Sequence, residues 1–326
     1  MSDNPFSDSR RPLRVLAISD IRGWAFDRNM RDMEQALGDR ADVAHFYISD
    51  YKTYGVAPDW DAFDVVFNVY HRNPLEPPWD KTAGSLRGTF FSPQRPVPPG
   101  PREVEFVNRH ATFHTCTART YMQLRPHCPQ VWYLTNPVDM GRFPRAAKIE
   151  GEIIAQWNGN AGHDSAGGGR DIKGFRSIIQ PAVEHAEIPL VYAEYSENRL
   201  PPDAMPEYYL QANVALCASL YEGASNSVME AMAAGQAVIA TDVGNHAEMQ
   251  HSQLLRFGET GIWLVERNVE AFVEALRLLR GHPAKAAEMG RINRQSVEAD
   301  WSWERWADAY LRFLKVAAWN GEGVDV

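Results

Sequence analysis

The stretch Ser219-Leu220-Tyr221-Glu222-Gly223-Ala224-Ser225-Asn226-Ser227-Val228-Met229-Glu230 concentrates groups that could carry chemistry in this 326-residue chain. A strand ending near Cys217 leads into a turn with Gly223, and Ser225, Asn226 and Ser227 supply N-cap chemistry. The Ala/Met-rich run that follows forms helix readily. A strand, a small-residue turn and a helix N-terminus make an anion site, because the first N–H groups and the helix dipole point into the turn. Glu222 lies before the helix and Glu230 about one turn inside it. Placed along a turn and a helix, they need not face each other across one bond as the two carboxylates of a glycosidase do. A carboxylate accepts two donors at once, which suits sugar hydroxyls. An anion site flanked by two such carboxylates describes a nucleotide-sugar pocket; the competing reading is a pair of solvated helix-edge glutamates.

The elements that must position this turn recur along the chain. Leu13–Ile18 reads as a strand ending in Ser19-Asp20-Ile21-Arg22-Gly23, and periodicity predicts a helix over 27–37. Strand-like runs follow at 42–47, 64–69, 88–91 and 131–134, with a helix at 118–124, while the Pro- and Gly-rich residues 73–102 read as long loops. The pattern pauses at 136–144 and restarts with strands at 152–157, 188–193, 213–217 and 237–241. Helices are predicted at 173–185, 206–211, 227–234, 269–280, 284–299 and 301–318. Strands alternating with helices imply parallel sheets covered on both faces. The length suits two domains.

Hydrophobic residues make up 44% and charged residues 23%, as in an ordinary globular protein, and the net charge of −9 argues against a generic basic nucleic-acid binder. Residues 1–140 hold 16 Lys and Arg against 17 Asp and Glu, and 14 of those 16 are Arg; the remainder of the chain carries the acidic excess. Arginine suits bidentate binding of phosphate or carboxylate. Arg22, Arg72, Arg87 and Arg95 in predicted loops therefore either bind an anionic acceptor or simply solubilise the surface. Three scattered cysteines, a polar leader and the lack of a long apolar run point to a cytoplasmic chain with no transmembrane segment. His110 and His114, with Cys116 close by, invite a zinc reading, but no second ligand pair accompanies them, so no metal is expected. His71 closes the 64–69 strand, where ligands gather at the carboxyl ends of parallel strands; it is either a substrate contact or a structural histidine. Gly23 allows close backbone approach after the first strand.

Glu222 to Glu230, embedded in E-G-x-S-N-S and followed by Ala234-Gly235-Gln236-Ala237-Val238-Ile239-Ala240-Thr241-Asp242-Val243-Gly244, resembles the E-x7-E block of GT4-type retaining glycosyltransferases of the GT-B superfamily. Glu248 also falls where those proteins often carry Glu. Asn136-Pro137-Val138-Asp139 with Phe143 resembles their interdomain hinge, with Pro137 in place of Gly. Trp157-Asn158-Gly159-Asn160 followed by Asp171-Ile172-Lys173-Gly174 resembles the element holding the donor diphosphate, with Asn160 in place of an Arg that Arg170 could replace. In place of the family's Gly pair stands Arg22-Gly23-Trp24.

The resemblance implies two Rossmann-like domains facing a cleft: an acceptor-side domain over 1–140 and a nucleotide-sugar donor domain over 141–300, with the final helix, about 301–319, packing back onto the first. It implies a metal-independent transferase that moves a sugar from a nucleoside diphosphate sugar with retained configuration, using no cofactor. Lys173 would neutralise the diphosphate, Glu222 would hold hydroxyls of the transferred sugar, and Glu230 the ribose hydroxyls. Gly223 and the N–H groups around Ser225, Asn226 and Ser227 would cradle phosphate, and His71 would touch sugar or acceptor. The acceptor would be a glycan, a lipid-linked group or another small molecule, with nucleic acid less favoured. Two rivals are a catalytically silent GT-B module that binds sugar or a partner, and a DNA- or nucleotide-modifying glycosyltransferase. An epimerase or phosphorylase on the same architecture is a third, and a phosphorylase lacks its pyridoxal-binding lysine motif here.

Overall fold

The computed structural model describes residues 11–69, 74–86, 99–144, 146–147, 151–162, 171–195 and 197–319. The chain divides into two compact units, one made of residues 1–137 with 303–326 and the other of 138–302.

In the first unit, β1 (Leu13–Ser19), β2 (Ala41–Tyr47), β3 (Val65–Asn68), β4 (Thr82–Leu86), β5 (Thr112–Thr115) and β6 (Val131–Tyr133) form one sheet in the order β2-β1-β3-β4-β5-β6. Every pair is parallel, with Ile18 opposite Phe46 on one side and Asn68 on the other. The near-continuous apolar run of β1 is what burial on both faces requires. The helices are α1 (Ala25–Leu37), α2 (Ile48–Tyr54), α3 (Pro101–Asn108) and α4 (Ala118–Leu124). Met30, Met33 and Leu37 of α1, at helical spacing, enter a core with Val15, Phe67, Tyr310 and Phe313.

The second unit contains β7 (Ala155–Gly159), α5 (Gln180–Ala186), β8 (Leu190–Glu194), α6 (Met205–Tyr209), β9 (Val214–Cys217), α7 (Asn226–Ala233), β10 (Ala237–Ala240), α8 (His246–Phe257), β11 (Ile262–Leu264), α9 (Val269–Gly281) and α10 (Pro283–Ser296). Its parallel sheet runs β11-β10-β9-β7-β8. The chain enters and leaves this unit at one place: Val138 bridges Ser302, and its N–H donates to the Trp301 carbonyl at 2.9 Å. It then continues into α11 (Trp303–Ala318), which buries Trp303, Ala307, Tyr310, Phe313, Leu314 and Ala317 in the first unit's core.

In both sheets the second strand lies to one side of the first and the third to the other, so each has a topological switch point. Ligands of open α/β sheets bind outside the carboxyl ends of the strands at such a point. It falls between β1 and β3 in one unit and between β7 and β9 in the other.

Several elements differ from the sequence reading. The single helix expected over 173–185 is a π-helix over Phe175–Ile179 that passes into α5, because Pro181 lacks the N–H an α-helix interior needs. Strand β4 and the start of α3 fall inside the stretch read as loop, and the strand expected at 88–91 lies outside the described residues. The elements α2, β5, α8 and β11 are also additional to the reading.

Candidate donor site in the second unit

Lys173 and Glu222 meet beside the switch point of the second sheet, on loops that follow β7 and β9, and the ammonium donates to Glu222 Oε1. The backbone around Lys173 is held from three sides. Asp171 accepts the N–H groups of Phe175 (3.2 Å) and Ser177 (2.8 Å) and so caps the π-turn. Arg267 clamps the two loops together, donating to the carbonyls of Asp171 (2.6 Å) and Ala218 (2.9 Å). The Leu220 N–H donates to the Ile172 carbonyl at 2.8 Å. Gly174, at φ 68°, lets this loop approach the end of β9: a Cβ there would lie 2.5 Å from the Ala218 carbonyl oxygen and 2.7 Å from the Ala218 methyl.

Glu222 also accepts the Ser219 hydroxyl at 2.7 Å. Its side chain is 14% exposed and that of Lys173 25%, so the pair opens to solvent at one edge. Burial works against both charges, yet each outweighs the other's penalty: the Glu222 carboxyl sits below its ordinary value and the Lys173 ammonium above. Cys217, fully enclosed next to the pair, has its thiol raised by burial.

Glu230 is buried in α7, its Oε2 2.9 Å from the Tyr209 hydroxyl and its Oε1 3.8 Å from the Arg142 guanidinium. The same hydroxyl lies 3.2 Å from Asn158 Oδ1, and Arg142 is anchored to the Pro202 carbonyl at 3.1 Å. The two glutamates thus have separate partners. The sequence reading missed Tyr209, Arg142 and Arg267 and named Ser219 without a role; of these, the Tyr208-Tyr209 doublet before β9 is unusual enough to draw attention.

Ser225 is the N-cap residue of α7, as the spacing requires, but it makes no side-chain cap bond. Its hydroxyl lies 3.2 Å from that of Ser227, and its own N–H donates to Asn245 Oδ1 at 3.4 Å, so N-cap chemistry by Ser225 is corrected. Gly223 lies directly under the β10–α8 loop, for a Cβ on Gly244 (φ 58°) would collide with the Gly223 carbonyl.

Asn160 uses its Oδ1 to accept the Gly162 N–H at 2.9 Å, so it closes its own loop. Arg170, His71, Arg72, Arg87 and Arg95 lie outside the described residues. Gly23 has φ 77° and donates its N–H to buried Asp27 at 2.7 Å. Arg22 stacks on the Tyr47 ring at 4.4 Å and lies 3.6 Å from Asp50. His110 and His114 do not share a helix face: the first follows α3 and the second lies in β5. His110 Nδ1 is 3.0 Å from the Phe106 carbonyl and His114 Nδ1 3.2 Å from that of Leu134, each ring packed among aromatics. Among the described residues, no group of three or more His, Cys, Asp or Glu could hold a metal ion, and no helix is long and apolar enough to cross a membrane.

Two parallel sheets with flanking helices match the fold of GT-B glycosyltransferases. Residues 185–281, which contain Glu222 and Glu230, match the family described as glycosyl transferases group 1. Over 119 residues, 36% of this chain and 25% of the relative, the sequence is 29% identical to D-inositol 3-phosphate glycosyltransferase of Rhodococcus opacus (strain B4). Over 112 residues, 34% of this chain and 26% of the relative, it is 30% identical to glycogen synthase of Mycobacterium tuberculosis. The chain thus matches about a quarter of the length of these curated relatives. Sucrose-phosphate synthase from Thermosynechococcus elongatus superposes with a TM-score of 0.67 at 14% identity, covering 93% of this chain and 98% of that one. Anabaena HepE in complex with UDP and glucose gives 0.67 at 10% identity, covering 93% and 99%.

Proposed function

We propose that the protein transfers a sugar from a nucleoside diphosphate sugar to an acceptor, with retained anomeric configuration and without a metal ion. The Lys173–Glu222 pair beside the N-terminus of α7 carries this reading, because it places a fixed cation and a hydroxyl-accepting carboxylate side by side. In the reaction the bond from the anomeric carbon to the diphosphate oxygen breaks and its electrons stay on that oxygen. The acceptor hydroxyl bonds to the same face of the carbon and passes its proton to the departing phosphate. The barrier is set by charge growing on the diphosphate, which donors fixed before reaction stabilise more than they stabilise the ground state. Lys173 and the first-turn N–H groups of α7, at Asn226 and Ser227 after Ser225, whose own N–H is given to Asn245, supply those donors. Glu222 holds hydroxyls of the transferred sugar. Glu230, fixed by Tyr209, accepts the ribose hydroxyls.

The test is thermal shift against UDP-, GDP- and dTDP-sugars, with and without EDTA, followed by an assay for nucleotide release. A ligand of the folded form at a hundredfold excess over Kd raises stability by about 2.7 kcal/mol. UDP-sugars are the first to try, since HepE is a structural neighbour seen with UDP-glucose. No shift with any nucleotide sugar overturns the proposal, and a shift abolished by EDTA overturns its metal-independent part. A shift without nucleotide release in the presence of acceptors identifies a silent binding module instead.

A further inference from the structure

His246, the first residue of α8, is fully buried, and its Nδ1 lies 2.8 Å from the Thr241 carbonyl oxygen. A carbonyl only accepts, so Nδ1 carries the proton and Nε2 is a bare lone pair. That Nε2 is buried with no hydrogen-bond partner. Leaving it so costs stability, and an apolar side chain would fill the space without that cost. What the imidazole does that an apolar residue could not is hold the Thr241 backbone. Thr241 is also tied to the Cys217 carbonyl through its N–H at 2.9 Å, and its own carbonyl accepts the Val243 N–H at 2.9 Å; one branch of these contacts leads to Glu222. The Thr241 hydroxyl donates to the Ser219 carbonyl at 2.7 Å, and the Ser219 hydroxyl donates to Glu222 Oε1 at 2.7 Å. The same loop presses on Glu222 directly: a Cβ on Gly244 would come within 3.0 Å of the Glu222 Cβ.

We propose that His246, through Thr241 and Ser219, is a positioning residue that fixes the Glu222 carboxylate for recognition of the transferred sugar. This rests on the donor-site reading above. Lys173 donates to the same Oε1 of Glu222 and must turn donors toward a diphosphate when one arrives. Ser219 then keeps the carboxylate in place; its neighbours are pinned by Arg267 and by the Ile172 carbonyl, while its own carbonyl is held by the Thr241–His246 anchor. The imidazole is kept neutral by burial, against the Glu222 and Asp242 charges that favour its protonation and with the Lys173 charge opposing it. The anchor is therefore a donor of fixed direction rather than a counter-ion.

Three variants test this, read by crystal structure and by isothermal titration with UDP and UDP-glucose. His246→Phe removes the donor to Thr241, Ser219→Ala removes the contact to Glu222, and His246→Asn keeps an amide donor near the place of Nδ1. In His246→Phe the Glu222 carboxylate should leave Ser219, and UDP-glucose should bind 10- to 100-fold more weakly while UDP binding changes less than threefold. His246→Asn should restore most of the loss. The Ser219→Ala/His246→Phe double variant should be no worse than the more damaged single one, since both break one relay. Should His246→Phe prove unfolded, Ser219→Ala with Thr241→Val provides the same cycle. A Glu222 carboxylate still on Ser219 in His246→Phe, or losses that multiply in the double variant, overturns the relay. If UDP and UDP-glucose bind the parent protein equally and no nucleotide sugar is turned over, the proposed function fails, and the variant's structure still decides the relay.

Discussion

At the scale of single residues, the Lys173–Glu222 pair shows how a charge can be kept ready in a half-enclosed place. Each member offsets the burial of the other, so removing one leaves the other uncompensated. Lys173→Ala should lower turnover by about 10²–10³-fold, the effect of deleting one preorganised donor to a growing oxyanion. It should cost about 1–3 kcal/mol of stability, less than a fully buried pair because the ammonium is a quarter exposed. The sign of the pH effect follows from the directions. The Glu222 carboxyl lies below its ordinary 4.5, so its contribution is present above that value and lost as the solution is acidified below it. The Lys173 ammonium lies above 10.5, so its contribution persists below that value and is lost on further alkalinisation. Donor affinity measured by titration should be flat between about pH 5 and 10 as far as this pair is concerned. A titration centred near neutrality that vanishes in Lys173→Ala would contradict it.

In the first unit His110 also lowers stability on acidification, here because burial is not offset by a partner charge. Burial among Trp79, Phe106 and Phe113 pushes its pKa down from 6.5 to about 4. The folded protein keeps the ring neutral while the unfolded chain protonates it, so stability falls as pH drops from 6.5 toward 4. At about 1.4 kcal/mol per pKa unit the full loss is about 3 kcal/mol. Urea midpoints across this range should show that slope, and His110→Gln should flatten it.

At the scale of elements, the site depends on loops that the sheet edges bring together, and glycine decides how closely. Gly174→Ala places a methyl against the Ala218 carbonyl at a backbone angle that side-chain-bearing residues seldom adopt. It should cost about 1–3 kcal/mol in stability and reduce nucleotide-sugar affinity by moving Lys173 off Glu222. Equal melting temperature and equal affinity in the variant would show that the loop yields.

The block around Glu222 and Glu230 was readable because strand, turn and helix signals agree there with the placement of the carboxylates. Lys173 was readable only through its neighbours Asp171 and Gly174, as an isolated lysine says nothing. Tyr209, Arg142 and His246 were not, since what makes them matter is a partner 21, 88 or 5 residues away along the chain. A short strand such as Thr-Phe-His-Thr of β5 escapes notice because three of its four side chains are polar and buried by tertiary contacts alone. Helix α8 is too polar to show a sharp apolar face.

At the scale of the whole molecule, one unit is assembled from two distant pieces of chain, and the other is a single uninterrupted stretch. The first unit's core needs α11, whose Phe313 packs edge-on against Phe67 (ring centroids 5.9 Å), His114 (5.3 Å) and Trp132 (5.9 Å). Phe313→Ala leaves a void there and should cost about 3–5 kcal/mol. Lys173, Glu222, Glu230 and Tyr209 all belong to the second unit, which has a hydrophobic core cluster of its own between Ile153 and Met289. Because each unit has its own core, a single two-state transition is not required. Hydrogen exchange by segment in Phe313→Ala should show β1, β3 and β5 exchanging faster, while β7, β9 and β10 keep their protection and UDP still slows exchange around Ser219 and Gly223. Protection lost to the same degree in both units would show that they open together, and the donor site would then owe its stability to the aromatic core under α11.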